Sequence, residues 1–380
     1  MSYVADNRKS VLIIQGQMKH YRVPFFTRLR DVLRNSGIDL RVAYGEAPEH
    51  ADRNDQAELP PDLGLRVNTY PVFSNRILYQ PLLRAVASVD LIVAEQTNKF
   101  VLNYLLVTLS VLKCKRVAFW GLGESKNEGR SEFSEWTRRR IANKVDWWFA
   151  YTPGTKAYLV ANGVSKERVT VVFNAVDTHD LSQQIASISD GEVASARLAL
   201  KIGEGDPIGL FVGALLPDKG LGLLLESAKL IKVKIPGFHL VIVGGGPEQE
   251  TVREATRVFP WIHWVGPKFG REKAILFKMA ATLLLPGRVG LVILEAFAAG
   301  LPLITVDVPY HGNEVEYLAD GKNGLVTKNN AEAYASSVIS FFSNAALQRD
   351  LTQSALASGG KYSLDAMVVN FRDGVLACLA

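Results

Sequence analysis

The chain has 380 residues, of which 48% are apolar, with two cysteines and a net charge of +5. This apolar content excludes a disordered chain, and two cysteines exclude a disulfide framework. The apolar runs at residues 11–14 and 100–112 are too short for a signal peptide and for a membrane span of about 20 residues, respectively. We therefore expect a cytoplasmic protein of two or three domains, either soluble or attached peripherally to the inner face of the plasma membrane.

Short apolar runs alternate with longer helical patterns along the chain. The runs are apolar throughout, which is typical of parallel strands buried on both faces. The predicted strands are 10–15, 40–44, 91–94, 116–120, 147–151 and 170–173, and then 208–212, 239–243, 262–265, 282–285 and 303–306. The predicted helices include 23–35, 100–112, 221–234 and 290–299.

This alternation predicts an α/β fold with two doubly wound, Rossmann-like parallel-sheet domains. A polar stretch at 174–204 separates the two series of strands. We expect an N-terminal domain at 1–177, a C-terminal domain at 178–362, and a last helix at 363–380 that crosses back to the first domain. Ligands of such sheets bind beyond the carboxyl ends of the strands, so the cleft between the two domains is the expected site.

The strongest local signal lies at residues 283–302. An apolar strand ends at Pro286, a glycine-bearing turn follows, and a helix begins near Gly290. Backbone N–H groups at such a turn suit a phosphate, and Glu295 could accept hydrogen bonds from ribose hydroxyls. The alternative is an ordinary strand–turn–helix unit with a solvated glutamate.

A second glycine-bearing turn joins Gly213 to Gly220. Lys219 in this turn could neutralise a diphosphate as a point charge, or it could be an ordinary exposed lysine. A third turn, Gly244–Pro247, resembles half of a dinucleotide fingerprint. Gln249 occupies the sixth position of that fingerprint, so the turn is a weak signal for a nicotinamide cofactor.

In the first half, Gly16 follows the first predicted strand, and His20 and Arg22 precede the helix at 23–35. His20 could act as a base, and the alternative is a plain strand–helix turn with an exposed histidine.

The basic charge is concentrated in the first half, where residues 1–180 carry 25 Lys and Arg against 19 Asp and Glu. Residues 113–148 mix cations with aromatic side chains, which could bind an anionic membrane surface. A packed helix with a basic solvated side is the alternative. No nucleic-acid motif accompanies this segment, so we expect no nucleic-acid partner.

Several catalytic signatures are absent from the sequence. It has no G-x-S-x-G, no G-x-x-x-x-G-K-[ST] and no H-E-x-x-H motif, and its six histidines and two cysteines lack metal-ligand spacing. We therefore expect neither a metal site nor P-loop chemistry.

Taken in order, the glycine motifs resemble those of the GT-B glycosyltransferases of family four, also called group 1 glycosyltransferases. The resemblance covers nearly the whole chain and is densest over 208–326. The motifs that carry the resemblance are Gly213-x5-Lys219-Gly220, Gly244-Gly-Gly-Pro247, Trp264-Val-Gly266-Pro267, Gly290-Leu-Val-x2-Glu295-Ala, Gly300-Leu-Pro302 and His311-Gly-Asn-Glu314. In the first half, Tyr21-Arg-Val-Pro-Phe-Phe26 and Trp120-Gly-x-Gly are similar to members that build surface polysaccharides.

The resemblance implies a retaining, metal-independent transferase that uses a nucleotide sugar, UDP- or GDP-linked, and needs no other cofactor. The acceptor would be a saccharide or a lipid-linked compound in cell-surface polysaccharide or glycolipid synthesis. Lys219 and Glu295 would be the catalytic residues, holding the diphosphate and the ribose. The implied donor-binding residues are Gly16, Gly213, Arg288, Gly290, Leu291, Val292, Gly266, Pro267 and Lys268. The implied acceptor residues are His20, Arg22 and Glu124.

Three positions depart from the family pattern. Ala214 stands where the family has arginine, Gly287 where it has the first of two glutamates, and Leu122 where it often has histidine. Arg288 could replace the missing cation. The departures leave open a second interpretation, a catalytically degenerate GT-B protein that binds nucleotides or regulates a partner. A third, a Rossmann oxidoreductase, is disfavoured by Gln249.

Overall fold

The computed structural model describes residues 8–46, 57–72, 77–123, 136 and 139–380. The chain divides into two compact units. Unit 1 comprises Met1–Asp177 and Leu364–Ala380, and unit 2 comprises Thr178–Ser363.

Unit 1 is built on a parallel seven-stranded sheet with the strand order β3-β2-β1-β6-β7-β8-β9. Its strands are β1 (Lys9–Gln17), β2 (Ile38–Gly45), β3 (Gly64–Val67), β6 (Leu91–Glu95), β7 (Arg116–Gly121), β8 (Trp147–Ala150) and β9 (Val169–Val171). A separate antiparallel pair joins β4 (Tyr70–Val72) to β5 (Ile77–Tyr79). The central strand β1 pairs with β2 on one side and β6 on the other, and its residues 11–14 are buried.

The helices of unit 1 are α1 (Val23–Asn35), α2 (Leu83–Ala87), α3 (Val101–Val111), α4 (Pro153–Ala161) and, from the end of the chain, α13 (Leu364–Leu379). Helix α1 starts with a proline in its first turn and buries Phe25, Phe26, Leu29 and Leu33, a spacing that keeps them on one face. Helix α13 packs against α1, and its Phe371 stacks on Phe149 of β8 at 4.1 Å between ring centroids.

Unit 2 has a parallel six-stranded sheet with the order β12-β11-β10-β13-β14-β15. Its strands are β10 (Ile208–Val212), β11 (His239–Val243), β12 (Ile262–Trp264), β13 (Thr282–Leu284), β14 (Leu303–Val306) and β15 (Gly324–Thr327). Its helices are α5 (His179–Ser187), α6 (Asp190–Ala199), α7 (Leu221–Lys234), α8 (Gln249–Val258), α9 (Gly270–Met279), α10 (Val292–Ala298), α11 (Ala331–Ser343) and α12 (Ala345–Lys361).

The structure confirms the predicted strands to within a few residues and the predicted helices at 23–35 and 221–234 with the same bounds. The polar stretch at 174–204, where the two series of strands separate, contains α5 and α6. Ser189 begins α6 with a capping box to Glu192, which is how a serine-rich segment can start a helix. Strands β3 and β15 were missed because both are short and begin with glycine.

Candidate functional site

Two turns of unit 2 touch backbone to backbone at the carboxyl ends of β10 and β13. Gly220, with φ of +71°, lies so close to Pro286 that a Cβ at position 220 would be 2.2 Å from the Pro286 carbonyl oxygen. A Cβ at position 287 would be 2.3 Å from the carbonyl carbon of Lys219. No real Cβ tolerates such distances, so both positions require glycine. Gly287, the departure from the family pattern, is therefore a packing requirement of this chain.

Lys219 lies at this junction and is held by the neighbouring turn. Its Nζ donates a hydrogen bond to the Arg288 carbonyl oxygen at 2.7 Å, and the Arg288 N–H donates to the Asp218 carbonyl at 2.7 Å. Burial lowers the pKa of the Lys219 ammonium; Asp218 and Glu314 oppose the shift and Arg288 adds to it. A partly desolvated ammonium gains from an anionic ligand, since little water has to be removed from it.

Arg288 places a second cation at the same junction. Its side chain is 56% exposed, and its Nη1 lies 3.5 Å from the Asp218 carboxylate. Ala214, where the family has arginine, is exposed in the turn after β10. The predicted pair of cations, Lys219 and Arg288, is thus close together in space.

His311 fixes the turn that leads to Gly290. Its Nε2–H donates to the Val306 carbonyl at 2.7 Å, so its Nδ1 is the acceptor for the Val289 N–H at 3.1 Å. The Gly312 N–H also donates to the Val289 carbonyl at 3.0 Å. A buried histidine with both ring nitrogens engaged has a defined tautomer and holds the backbone in one position.

Gly290, Leu291 and Val292 lead into α10 and are only half-buried. A Cβ built at Gly290 has no heavy atom within 4 Å, so space is open beside this backbone. Glu295 was predicted to be available to a ribose. Its Oε1 is 2.7 Å from the Nζ of Lys273 on α9, and the two groups form a half-buried ion pair.

The turns after β11 and β12 are also joined through backbone groups. The Gly244 N–H donates to the Gly266 carbonyl at 3.0 Å, and the Trp264 indole N–H donates to the Gly244 carbonyl at 2.9 Å. Gly266 and the exposed Pro267 are thereby fixed beside the Gly244–Pro247 turn. Lys268, a predicted donor-binding residue, is paired with Glu272 at 2.8 Å.

The turn after β10 joins the same network. The Gly213 N–H donates to the Val243 carbonyl, and a Cβ at Gly244 would meet the Gly213 carbonyl oxygen at 1.8 Å. The four turns that follow β10, β11, β12 and β13 therefore form one connected edge of unit 2.

The remaining predicted residues lie in unit 1. The Gly16 N–H donates to Glu95 Oε2 at 2.9 Å, and the His20 side chain is exposed. Leu122, where the family often has histidine, is 37% exposed. Glu124 lies outside the described residues.

Arg22 is deeply buried, with 6% of its surface exposed. Its Nη2 donates to the Tyr151 hydroxyl at 3.1 Å, and its guanidinium carbon lies 4.6 Å from the Trp120 ring centre and 5.1 Å from the Tyr21 ring centre. This geometry is a cation stacked on aromatic rings.

The segment 113–148 is described only in part, because 124–135, 137 and 138 lie outside the described residues. Lys113 is exposed and 3.1 Å from Asp146, and Trp136 is 54% exposed with Arg140 5.0 Å from its ring centre. Trp148 is fully buried and its indole N–H donates to the Ala142 carbonyl. Trp148 therefore belongs to the core and not to a basic surface.

Within the described part of the chain, no group of three or more His, Cys, Asp or Glu side chains is placed to hold a metal ion. None of the helices in those same ranges is both long enough and apolar enough to span a bilayer.

Sequence reasoning gave no role to Lys273, to His311, or to the aromatic rings around Arg22. Lys273 and Glu295 are 22 residues apart on different helices, so no local pattern links them. His311 could have been found from its place in the His311-Gly-Asn-Glu314 motif, which follows the strand β14.

Comparisons with known proteins agree with this arrangement. Residues 194–357, all within unit 2, match the family described as Glycosyl transferases group 1. An uncharacterized glycosyltransferase of Methanocaldococcus jannaschii is 28% identical over 176 residues, which are 44% of this chain and 48% of that protein. A GDP-mannose-dependent alpha-(1-6)-phosphatidylinositol monomannoside mannosyltransferase of Mycolicibacterium smegmatis is 31% identical over 147 residues, 35% of this chain and 38% of that protein. The matches thus span less than half the length of these relatives.

Solved structures match over almost the whole chain. Anabaena HepE in complex with UDP has a TM-score of 0.69 at 16% identity, covering 97% of this chain and 99% of that one. A glycosyltransferase from Rickettsia africae has the same TM-score at 15% identity and the same coverage. These likenesses show the fold, which is the GT-B fold with its two parallel-sheet units. Unit 2 thus resembles the group 1 glycosyl transferases over residues 194–357, and the whole chain has the GT-B fold.

Proposed function

We propose that the protein is a retaining glycosyltransferase that moves a sugar from a UDP- or GDP-linked donor to a saccharide or lipid-linked acceptor in cell-surface polysaccharide or glycolipid synthesis. The observation that carries the proposal is the partly desolvated Lys219 at the junction of two glycine turns, beside the open backbone at Gly290. The names of two relatives support the choice of base, since one structure holds UDP and one relative is GDP-mannose-dependent.

In this proposal the protein stabilises the charge that develops on the departing diphosphate. An ammonium has three donors, so Lys219 can keep its bond to the Arg288 carbonyl and still offer N–H groups to phosphate oxygens. Fixed cations and backbone dipoles that need no rearrangement are effective in this role. The diphosphate itself takes the acceptor's proton, so a pair of carboxylates at glycosidase spacing is not required. The reaction as proposed needs no metal.

We assign the ribose to Glu295 with Lys273 as its positioning partner. The ion pair holds the carboxylate in one place, and a carboxylate has enough lone pairs to accept from a ribose hydroxyl as well. Gly266, Pro267 and Lys268 would frame the base, with the Gly213 turn beside them. For unit 1, we assign Gly16 to the donor, and His20, Arg22 and Glu124 to the acceptor, as the family resemblance implies.

Thermal shifts test the donor site. The protein is titrated with UDP, GDP, CMP, ADP, their sugar conjugates and NAD, in EDTA and again with Mg²⁺. A ligand at 100 times its dissociation constant stabilises the fold by about 2.7 kcal/mol, which is readily measured. A shift with one nucleoside diphosphate in EDTA supports the proposal. No shift with any nucleotide contradicts it.

Arg288 is proposed as the cation that replaces the family's arginine at position 214. Its side chain is exposed, and its backbone carbonyl is bonded to the Lys219 ammonium, so both cations belong to the same turn junction. Arg288→Ala should weaken nucleotide binding about tenfold, in the range of a charge-assisted hydrogen bond. Arg257→Ala, an exposed arginine on α8, is the control. Equal affinities in the two variants would refute this role.

A nucleotide-binding protein without transferase activity is a second candidate. It is favoured by Gly287, since the Lys219 backbone occupies the space where the family's first glutamate would place its Cβ. Donor hydrolysis or transfer above background separates the two candidates. Either activity excludes the degenerate protein.

We also propose that unit 1 attaches to an anionic membrane surface on the cytoplasmic side. Helix α3 and its end expose apolar side chains, among them Leu105 and Leu112, and the cations Lys113 and Arg116 follow directly. Apolar contact combined with basic charge is the usual requirement for interfacial binding. A cavity of about 610 Å³ beside this end of α3 is lined by cations, among them Lys113 and Arg116, and also by Asp90 and Asp146.

Sedimentation with vesicles tests the membrane surface. The protein should pellet with anionic vesicles at low salt and be released at 1 M salt, where the Debye length falls to about 3 Å. Leu112→Glu should abolish pelleting, and Leu198→Glu, an equally exposed leucine on α6, should not. Absence of pelleting in the unaltered protein would refute the proposal.

A further inference from the structure

Arg22 carries a buried positive charge without a carboxylate partner. Its Nη1 has no hydrogen-bond partner. Among the described residues, its side chain interacts with the hydroxyls of Tyr21 and Tyr151 and, electrostatically, with Glu95, but it forms no ion pair with a carboxylate within 4.0 Å. Arginine keeps its charge under all ordinary conditions. Burial of an unpaired charge costs more free energy, through lost hydration, than a cation–π contact with an aromatic ring recovers. A buried guanidinium with an unused donor therefore points to an anion that the structure does not contain.

A second unused donor lies directly beside it. The Trp120 indole N–H is also buried without a partner, and its ring is 4.6 Å from the Arg22 guanidinium carbon. Buried indole N–H groups normally find an acceptor. Two unsatisfied donors on two side chains in contact make a common site for one acceptor group.

The surroundings hold these donors in fixed positions. Trp120 packs edge-on against Phe371 and Phe26, with ring centroids 5.1 Å and 6.1 Å apart. Glu95 is near enough to influence Arg22 electrostatically, but its Oε2 already accepts the Gly16 N–H. An oxyanion of a ligand bound here would be attracted by the Arg22 guanidinium and repelled by the Glu95 carboxylate.

The position in the fold is that of a ligand site. Arg22 follows β1, Trp120 is the second-last residue of β7, and Tyr151 follows β8. The donors therefore lie at the carboxyl edge of the unit 1 sheet. Ligands of open parallel sheets bind at this edge. The half-buried rings of Tyr21 and Tyr151 lie against the guanidinium, with ring centres 5.1 Å and 5.8 Å from its carbon.

We propose that Arg22 and Trp120 bind an oxyanion carried by the acceptor, so that the acceptor is an acidic compound and not a neutral sugar. This inference rests on the proposed transferase function and names the acceptor class. The oxyanion is the carboxylate of a uronic acid or a phosphate group of a lipid-linked acceptor. Both offer the planar or forked oxygens that a guanidinium binds with two hydrogen bonds.

Paired probes test the inference on the full chain saturated with the nucleoside diphosphate that gives the thermal shift. Sodium glucuronate is compared with glucose, and inorganic phosphate with chloride at equal ionic strength, by calorimetry. We expect one anion of the two pairs to bind at least about tenfold more tightly than its control, as a charge-assisted hydrogen bond allows. Preference for glucuronate identifies a uronic acid, and preference for phosphate identifies a phosphorylated acceptor.

Substitutions assign the preference to the site. Arg22→Met should remove the preference, whereas Arg34→Met, on the exposed side of α1, should keep it. Arg22→Lys keeps the charge and loses the forked geometry, and it should reduce the preference without removing it. The Trp120 indole N–H resonance, assigned with Trp120→Phe, should shift downfield when the anion binds.

The inference is overturned if neither anion is preferred over its control, or if Arg22→Met keeps the preference. If Arg22→Met does not fold, the Arg22→Lys variant and the Trp120 indole resonance provide the test. An unchanged preference in Arg22→Lys together with an unshifted resonance then overturns the inference. Failure of the proposed transferase function can be distinguished from failure of this inference, because in the former case no nucleotide stabilises the unaltered protein. Since Arg22 lies in unit 1, its variants should keep the nucleotide shift.

Discussion

The carboxyl edges of the two sheets are held together by different groups, backbone groups in unit 2 and side chains in unit 1. In unit 2, backbone groups meet backbone groups, and glycines at 220, 244 and 287 allow the close approach. In unit 1, the edge consists of packed side chains, with Arg22 stacked on Trp120 and Tyr151. The unit 2 edge therefore depends on the absence of side chains at its glycines, and the unit 1 edge depends on the identity of its side chains. Backbone groups can bind a phosphate common to many donors, whereas side chains can distinguish one acceptor from another.

The strongest test of the unit 2 edge adds one methyl group. Gly287→Ala would place a Cβ 2.3 Å from the Lys219 backbone, so we expect it to lower the free energy of unfolding by about 1–3 kcal/mol and to abolish nucleotide binding. Gly290→Ala is the matched control, because its Cβ meets open space and stability should change by less than about 0.5 kcal/mol. Chemical denaturation of both variants measures the difference. Equal stabilities would show that the two turns do not pack as described.

The next test removes the one side chain on which this backbone edge depends. Lys219→Ala should reduce sugar transfer more than tenfold, or more than about 1.4 kcal/mol of barrier, because the departing diphosphate loses its cation. Lys234→Ala, an exposed lysine at the end of α7, should leave the rate unchanged. Rates at saturating donor are compared. Near-normal turnover in Lys219→Ala would remove Lys219 from the mechanism.

A smaller effect should separate Glu295 from its partner. Lys273→Met leaves Glu295 half-buried without its cation, which should weaken donor binding several-fold by freeing the carboxylate to move. Arg271→Met, which breaks the more exposed pair between Glu192 and an arginine of the same helix, should have less effect. Affinities for the nucleoside diphosphate are measured by calorimetry. An equal effect of both substitutions would contradict a positioning role for Lys273.

The smallest expected effect concerns the opposite edge of unit 2, where His239 Nδ1 and His263 Nε2 are 2.9 Å apart. Burial, then His239 and Lys232, lowers the pKa of His263 to about 4. Because this pKa lies below the unfolded value of about 6.5, the unfolded state binds more protons. Stability is therefore fully present above pH 6.5 and falls as the pH drops from 6.5 to about 4.

His263→Asn should make this loss of stability shallower, and His179→Asn, on the exposed surface of α5, should not. Thermal midpoints between pH 7 and 4.5 provide the measurement. Identical pH profiles for the unaltered protein and His263→Asn would show that the histidine pair does not titrate during unfolding.

Much of the fold could be predicted because buried parallel strands are apolar throughout, as in His239–Val243 and Leu303–Val306. The glycine turns could be placed at strand ends for the same reason. The contact between Gly287 and Lys219 could not be predicted, since it depends on how two turns 68 residues apart pack against each other. Lys273 is 22 residues from Glu295, and Tyr151 is 129 residues from Arg22, so only the fold brings these partners together.

The path of the chain has a consequence for biosynthesis. Helix α13 completes unit 1, with Phe371 stacked on Phe149 and Gly374 so close to Phe149 that a Cβ there would be 2.6 Å from the ring. The ribosome makes this helix only after all of unit 2 has been synthesised. Synthesis of unit 1 therefore begins first and ends last. Its aromatic residues, including Phe149, remain without their partner Phe371 until unit 2 has been synthesised.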